Sequence, residues 1–434
     1  MRRSTRLIPM LIGVALALVA PLLPATDLTP VVPASAKVDV PFAVKPGLLF
    51  NDVGGSRAAQ YRIVTQVEQA IDHAPKGSTI RMAQYLFNLP RPADKLIAAH
   101  QRGVNVQLLI DDYPTSAQTQ RLRDALGTRK TARSFVARCK NSCMASTPSV
   151  MHAKFFLFSQ SGRSRNVSMV SSANLYTGNT TGSWNNLHTI VGDERIYDSL
   201  NQYFADMLPD RDNRNYIRTT ASGKFKLYYF PRTARPGTKQ VVLLDVLNHV
   251  RCTGVARGYG SNGRTVVRVA QWGWSSARLD IARRLWTLHD QGCNVQIIGN
   301  GFKTGDRVLQ TLLKPSRNGR MRFYDAAVNV TGDPRREYMH HKVVAVSGVW
   351  FGHPDTKVVY TGSANFTEPG TSSNNELVMR VLDGPTYDAY ARNFAMIRDD
   401  HTRRVTKAPT TSVAQAARKD AALDRELETG LDRG

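Results

Sequence analysis

The stretch Ile80–Asp111 reads IRMAQYLFNLPRPADKLIAAHQRGVNVQLLID, and Val267–Gly299 reads VRVAQWGWSSARLDIARRLWTLHDQGCNVQIIG. Each opens on a β-prone run that ends near a glutamine, Gln84 or Gln271. Apolar residues then recur at helical spacing, over roughly Ala93–Gln101 and Ala277–Asp290. A glycine, Gly103 or Gly292, stops each helix, because the residue after a helix often needs a positive φ. A second apolar strand follows, Val104–Ile110 or Val295–Ile298. Strand, helix and strand in this order form a unit whose two strands pair in parallel through a right-handed crossover. The stretches are copies of one another, and the chain is a duplication.

The copies stay in step downstream. Met151-His152-Ala153-Lys154 lies 49 residues past Gly103, counted to His152, and Met339-His340-His341-Lys342 lies 48 past Gly292, counted to His340. Ser171-Ser172-Ala173-Asn174 and Gly362-Ser363-Ala364-Asn365 come next, with histidine-to-asparagine spacings of 22 and 25. The pairs Asn185-Asn186 and Asn374-Asn375 close the series. The landmarks divide the chain into two lobes, about 37–215 and 221–405, with a polar linker around Asp210–Thr220 and a charged tail over 406–434. The Val413–Leu431 part of the tail is expected to be a solvated helix or disordered.

The chain has 434 residues, 42% of them hydrophobic, which is enough for sizeable cores and excludes a disordered or collagen-like chain. Lys+Arg is 58 against 34 Asp+Glu, a net charge of +24. Such a surplus points to a polyanionic partner: nucleic acid, anionic lipid or an anionic cell wall. Arg2, Arg3 and Arg6, an apolar run from Leu7 to Leu23 and the small residues Ala34-Ser35-Ala36 read as an export signal over 1–36, so the mature chain is expected to begin at Lys37 and to be secreted. Export favours disulfides over thiols. Among the three pairings of Cys139, Cys143, Cys252 and Cys293, one bridge per copy means Cys139–Cys143 and Cys252–Cys293. Zinc is the alternative, weakened by the C-x-x-x-C spacing.

His152-x-Lys154 and His340-x-Lys342 each head an apolar run, FFLF or VVAV, that reads as a buried strand. Residues two apart on a strand share a face, so one histidine and one lysine project together from each lobe. Asn174 and Asn365 can add their amides. With the lobes related by a pseudo-two-fold axis, both sets meet at one site. Two imidazoles, two ammonium groups and two carboxamides are what phosphodiester cleavage needs. Lysines and amides hold the non-bridging oxygens, one histidine attacks phosphorus, and the other protonates the leaving alcohol. This chemistry requires no metal and no cofactor.

With its paired H-x-K and G/S-S-A-N segments, the chain resembles the phospholipase D superfamily over about Phe50 to Asp383. The resemblance implies an α/β fold of two phospholipase D-like lobes with mixed sheets flanked by helices, and one active site between them. It also implies a phosphohistidine intermediate, with His152 the nucleophile and His340 the acid. Glu376 would orient the ring of His340. The motif aspartate is replaced by Ser159 and Ser347. In the family that aspartate supports rather than attacks. Aligning the asparagine pairs puts Leu187 opposite Glu376, so Asn186 or His188 is left to orient His152. The substrate so implied is a phospholipid cut at its headgroup by a monomeric enzyme. Transfer to another alcohol is a variant of that reaction. A superfamily nuclease acting on DNA or RNA is the alternative, and a non-catalytic binder of anionic polymers is a third reading.

Other residues carry less. His341 is expected on the opposite strand face from the catalytic groups. Trp184, Trp272, Trp274 and Tyr176 either line a cleft or pack in the core. Arg133, Arg138 and Lys140, and Arg317, Arg320 and Arg322, are basic clusters of which some could face an anionic substrate.

Overall fold

A computed structural model describes residues 41–112, 116–146, 149–233, 241–327 and 337–428. The export signal and the expected mature start at Lys37 lie outside these residues. Among the described residues no helix is long and apolar enough to cross a membrane.

The first lobe contains β1 (Gly47–Phe50), β2 (Thr79–Gln84), β3 (Asn105–Asp111), β4 (Phe135–Cys139), β5 (Phe155–Ser161), β6 (Ser164–Ser171), β7 (Ser183–Trp184) and β8 (Asn186–Val191). Seven of these form a sheet in the order β1-β8-β6-β5-β2-β3-β4. The strands β2, β3 and β4 run parallel. The others join antiparallel.

The chain continues through β9 (Arg218–Ser222), β10 (Phe225–Tyr229), β11 (Val250–Arg251), β12 (Val266–Gln271), β13 (Asn294–Gly299), β14 (Arg322–Asp325), β15 (Tyr338–Met339), β16 (Lys342–Trp350), β17 (His353–Gly362), β18 (Leu377–Leu382) and β19 (Arg403–Val405). The second sheet has the order β19-β14-β13-β12-β16-β17-β18-β10-β9. Its run from β14 to β10 repeats the first sheet strand for strand, so both sheets are mixed.

The strand–helix–strand units form as their periodicity dictates. The helix Pro90–Gln101 starts with prolines in its first turn, where no amide hydrogen is missed, and buries Ala93, Leu96 and Ala99. Its counterpart Leu279–Asp290 buries Ile281, Ala282, Leu285 and Leu288. Gly103 and Gly292 follow these helices at φ +88° and +93°, which a side chain would strain.

Each sheet buries one face under its own helices, in cores centred on Val67, Leu96 and Phe158 and on Val269, Leu285 and Val344. The other faces are buried in cores that mix the lobes. Phe155, Val170 and Tyr203 of the first pack with Leu227, Met379 and Val381 of the second. Trp184 and Val53 pack with Met339 and Phe394. The apolar burial that stabilises each lobe thus also locks the two together.

Both disulfides link the expected partners, Cys139–Cys143 and Cys252–Cys293. Of the two readings of the tail, the helix is the one observed, largely exposed but anchored at a few points. Val413–Glu428 is a helix docked on the second lobe. Its buried Asp420 accepts the amide hydrogens of Asp306 (2.7 Å) and Arg307 (3.2 Å), capping the helix Asp306–Leu312. Glu426 pairs with the buried Lys303. Capping oxygens and buried cations stabilise only when the helix is held in place, which is why a polar segment docks here.

Candidate active site

The site is built by a reciprocal exchange of backbone between the lobes. Just before β5, His152 N–H donates to Asn375 O at 3.0 Å, and Asn375 N–H donates to Val150 O at 3.1 Å. Just before β16, His340 N–H donates to Trp184 O at 3.1 Å, and Tyr338 N–H donates to Gly182 O at 2.9 Å. These two parallel pairings put each histidine beside the segment that leads into β18 or β8 of the other lobe.

Glu376 therefore faces His152. Its Oε1 lies 2.8 Å from His152 Nδ1. This corrects the expectation that Glu376 orients His340 within its own lobe, and that Asn186 or His188 serves His152. His340 Nδ1 instead lies 2.7 Å from Asn185 Oδ1. The sequence alignment was displaced by two residues, a shift that preserves the strand face and so is invisible to periodicity. Strand register shows the true match. Ser171 pairs with Leu187 as Gly362 pairs with Val378, so Asn185 stands where Glu376 stands.

The hydroxyls after Ser171 and Gly362 complete each pair. Ser363 donates to Glu376 Oε2, and Asn374 Nδ2 donates to Oε1 at 3.2 Å. Ser172 donates to Asn185 Oδ1 at 2.8 Å. The Asn185 amide donates to Asn179 O and Ser183 O, which fixes its oxygen toward His340. Burial works against charge on Glu376. The His152 ring facing it, then Lys154 and the Ser363 hydroxyl, outweigh burial and hold its carboxyl below the usual carboxylate range.

The remaining groups converge unevenly. Lys154 Nζ donates to His152 O at 2.6 Å, and Lys342 Nζ to His340 O at 3.0 Å. Both lysines and both histidines are buried. The Oδ1 of Asn365 is buried without a hydrogen-bond partner. Asn174 is tied into its loop. Its Oδ1 accepts from Leu86 N–H at 3.2 Å, and its Nδ2 donates to Asn179 Oδ1 at 2.6 Å. An aromatic ring flanks each histidine, Tyr85 at 5.1 Å from His152 and Trp272 at 5.4 Å from His340. Trp272 in turn meets Tyr338 and the half-exposed Phe302.

The sequence assigned no role to Asn185, Ser172, Ser363, Asn374 or Tyr85, although all but Tyr85 lie in its repeated landmarks. The repeated second serine was the legible signal for the hydroxyls. Conversely, Asn186 and His188 serve elsewhere. Asn186 Nδ2 donates to His341 Nδ1 at 2.8 Å. His188 sits buried against Phe225, its ring pushed down to about 4 by burial and then by Lys224. His341 is buried away from the reacting groups, its other nitrogen on Asn393.

The lost motif aspartates have a simple replacement. Ser159 Oγ accepts the Thr79 amide at 2.9 Å, and Ser347 Oγ accepts the Gly260 amide at 3.0 Å. A hydroxyl suffices to satisfy a backbone donor there. Of the basic clusters, Arg317 pairs with Asp290, Arg320 donates to Leu313 O and Arg138 to Asp112 O, so these three are occupied within the fold. Among the described residues no group of three or more His, Cys, Asp or Glu could hold a metal ion.

Two histidine–lysine pairs, buried between duplicated mixed sheets and each oriented from the opposite lobe, define a phospholipase D-type phosphodiesterase architecture. The chain belongs to the family described as cardiolipin synthase, PLD-like domain, which matches it twice, over residues 67–208 and 265–398. It is 29% identical over 121 residues to the mitochondrial cardiolipin hydrolase of Xenopus tropicalis, a match covering 28% of this chain and 50% of that protein. The chain thus spans about half the length of that curated relative. The phosphatidylserine synthase structure from Haemophilus influenzae Rd KW20 superposes with a TM-score of 0.56 at 13% identity, covering 91% of this chain and 96% of that one. The polyphosphate kinase structure from Porphyromonas gingivalis gives 0.50 at 14% identity, covering 89% and 55%. At these identities the two structures establish a shared fold.

Proposed function

We propose that the protein is a secreted, monomeric phosphodiesterase that hydrolyses phospholipids on the headgroup side of phosphorus, with His152 the nucleophile and His340 the general acid. The observation that carries the assignment of roles is the unequal pair His152–Glu376 and His340–Asn185. A carboxylate only accepts, so the proton of His152 sits on Nδ1 and the Nε2 lone pair is left to attack. Glu376 then stabilises the positive charge that grows on the ring during attack. Asn185 is neutral. It orients His340 in the same way but holds an imidazolium less firmly, which suits a group that must give its proton away.

The steps follow. His152 Nε2 bonds to phosphorus as the bond to the headgroup oxygen breaks, and His340 passes its Nε2 proton to that oxygen. The alcohol leaves. Water then gives a proton back to His340 while its oxygen attacks phosphorus, the phosphorus–nitrogen bond breaks, and phosphatidic acid is released. A second alcohol in place of water gives headgroup exchange. Lys154 and Lys342 offset charge on the non-bridging oxygens. Two displacements predict retained configuration at phosphorus, and inversion would exclude the covalent intermediate.

The lipid substrate is supported by Trp272 beside His340 and by the rings of Tyr338 and Phe302 that extend from it, and by relatives named for cardiolipin and phosphatidylserine. The charge of +24 favours a nuclease as the second reading. The deciding experiment offers the purified chain and its His340→Ala variant phosphatidylcholine or phosphatidylglycerol vesicles and plasmid DNA, with a chelator present. Headgroup release lost in the variant supports the lipase. DNA cleavage with intact lipid moves the protein to the nuclease branch.

A further inference from the structure

The duplication provides an internal control for one surface. In the first lobe, the outer face of β1 and β8 is closed by the helix Arg62–Asp72. Leu49 packs against that core, and Gln66 Nε2 donates to Thr189 Oγ1 at 2.9 Å. Strand register places Lys226, Tyr228 and Arg380 of the second lobe at the positions of Gly47, Leu49 and Thr189. The covering helix there, Val242–Asn248, has 7 residues instead of 11. The shorter helix leaves a cavity of about 670 Å³ lined by Lys226, Tyr228, Arg232, Tyr360 and Arg380, with Trp350 in its wall.

The cations in this cavity are arranged against their own interest. Lys226 and Arg380 stand directly opposite one another on antiparallel strands, where like charges repel. Neighbouring Arg218 and Lys224 take Asp206 and Asp383, and no acid pairs with Lys226, Arg232 or Arg380 among the described residues. The Nε atoms of Arg232 and Arg380 are buried without a hydrogen-bond partner, although buried donors are nearly always met. Asp245 also lines the cavity, where it lies 3.6 Å from His249. A bound anion would relieve the repulsion.

The rim supplies the rest of the ligand's chemistry. At the turn between β16 and β17, Phe351 adopts φ +48°, an uncommon conformation for a bulky residue, and is 45% exposed. Leu382, also on the cavity rim, is 44% exposed. Recessed cations beside projecting apolar side chains complement a bilayer surface, where phosphates lie just outside the acyl boundary. A nucleic acid calls for a groove that tracks the backbone, whereas this is a single pocket beside the helix Val242–Asn248.

We propose that this cavity is a second, non-catalytic phosphate site that docks the chain on anionic phospholipid bilayers, with Phe351 and Leu382 entering the interface. The choice of lipid rests on the phospholipase reading; the demand for an anion does not.

The test uses the full chain carrying His340→Ala, so that vesicles are not consumed. Co-sedimentation with phosphatidylglycerol vesicles should exceed that with phosphatidylcholine by at least ~10-fold, given the worth of each basic residue at an anionic surface. Adding Lys226→Gln with Arg380→Gln should abolish most of that excess, and Phe351→Ser alone should weaken it severalfold. The melting temperature of the double variant should stay level or rise, because a repulsion is removed; a structural role would lower it. With His340 restored, hydrolysis of soluble bis(4-nitrophenyl) phosphate, which needs no surface, should keep the parent rate in these variants. Parental binding of phosphatidylglycerol by the double variant overturns the proposal. So does a loss confined to plasmid DNA binding. If the parent fails to turn over the soluble diester, the phosphodiesterase reading falls, and the vesicle arms still decide the cavity.

Discussion

His152 Nδ1 and Glu376 Oε1 lie 2.8 Å apart across 224 residues of sequence, one from each lobe. The carboxylate that serves the first histidine is thus delivered by the second copy of the duplication. The reciprocal position is filled by Asn185, 2.7 Å from His340. Neither lobe could orient its own histidine, so a separated half would lack an oriented imidazole.

The unequal partners predict unequal variants. Glu376→Gln should lower kcat by about 10²–10⁴, the usual worth of general acid–base positioning, with KM little changed. Asn185→Asp should move the alkaline limb of the kcat/KM profile upward, because a carboxylate holds the His340 proton more tightly. A profile that does not move would remove Asn185 from this role.

The roles of the histidines separate by leaving group. A 4-nitrophenyl ester needs no proton to depart, so His340→Ala should retain a substantial rate on it and lose about 10² or more on a lipid headgroup. His152→Ala should lose both. Quenched-flow labelling at phosphorus should trap the intermediate in the first variant and never in the second.

Stability should fall with acid from two buried histidines. Burial, then Lys224, pushes His188 down to about 4. Burial dominates at His341, which is pushed down to about 3 and whose Nδ1 is committed as the acceptor of the Asn186 amide. Their folded values lie below the unfolded value near ~6.5. The unfolded chain therefore binds more protons between these values, and the stability is complete above that unfolded value and is lost progressively as pH drops toward 4. Glu376, held below the ordinary carboxylate range, adds a loss at still lower pH. Thermal melts from pH 8 to 4 should show this decline, and His188→Phe should flatten the part between 6.5 and 4.

The bridge Cys252–Cys293 closes a loop with a sequence separation of 41, whereas Cys139–Cys143 spans 4. Loop-closure entropy grows with length. Replacing the long bridge by serines should cost about 4 kcal/mol and the short one about 2. Chemical denaturation of the two double-serine variants gives the comparison.

Much of this was legible beforehand because it is local. The helices ending at Gln101 and Asp290, the strands after them and the glycine stops follow from periodicity and backbone sterics. The histidine–lysine pairs were legible because two copies repeat them. What misled was alignment by the asparagine pairs. Asn185-Asn186 and Asn374-Asn375 look equivalent in letters, yet the strands place Asn185 against Glu376. The tail's helix was one of two stated readings, but its docking was not legible, since a polar helix shows no apolar face even when Asp420 caps a neighbour.

The sequence alone determined the duplication, the parallel strand–helix–strand units and the repeated His-Lys and Ser-Ala-Asn segments, because each rests on residue types at repeated spacing, while the mixed-sheet lobes followed from the family resemblance and the cysteine pairing from one bridge per copy. The tertiary structure alone decided which histidine meets Glu376, and that Lys226 and Arg380 face each other in an open cavity. Both depend on strand register and on which lobe packs where, and contacts between residues hundreds of positions apart leave no periodic trace in the chain.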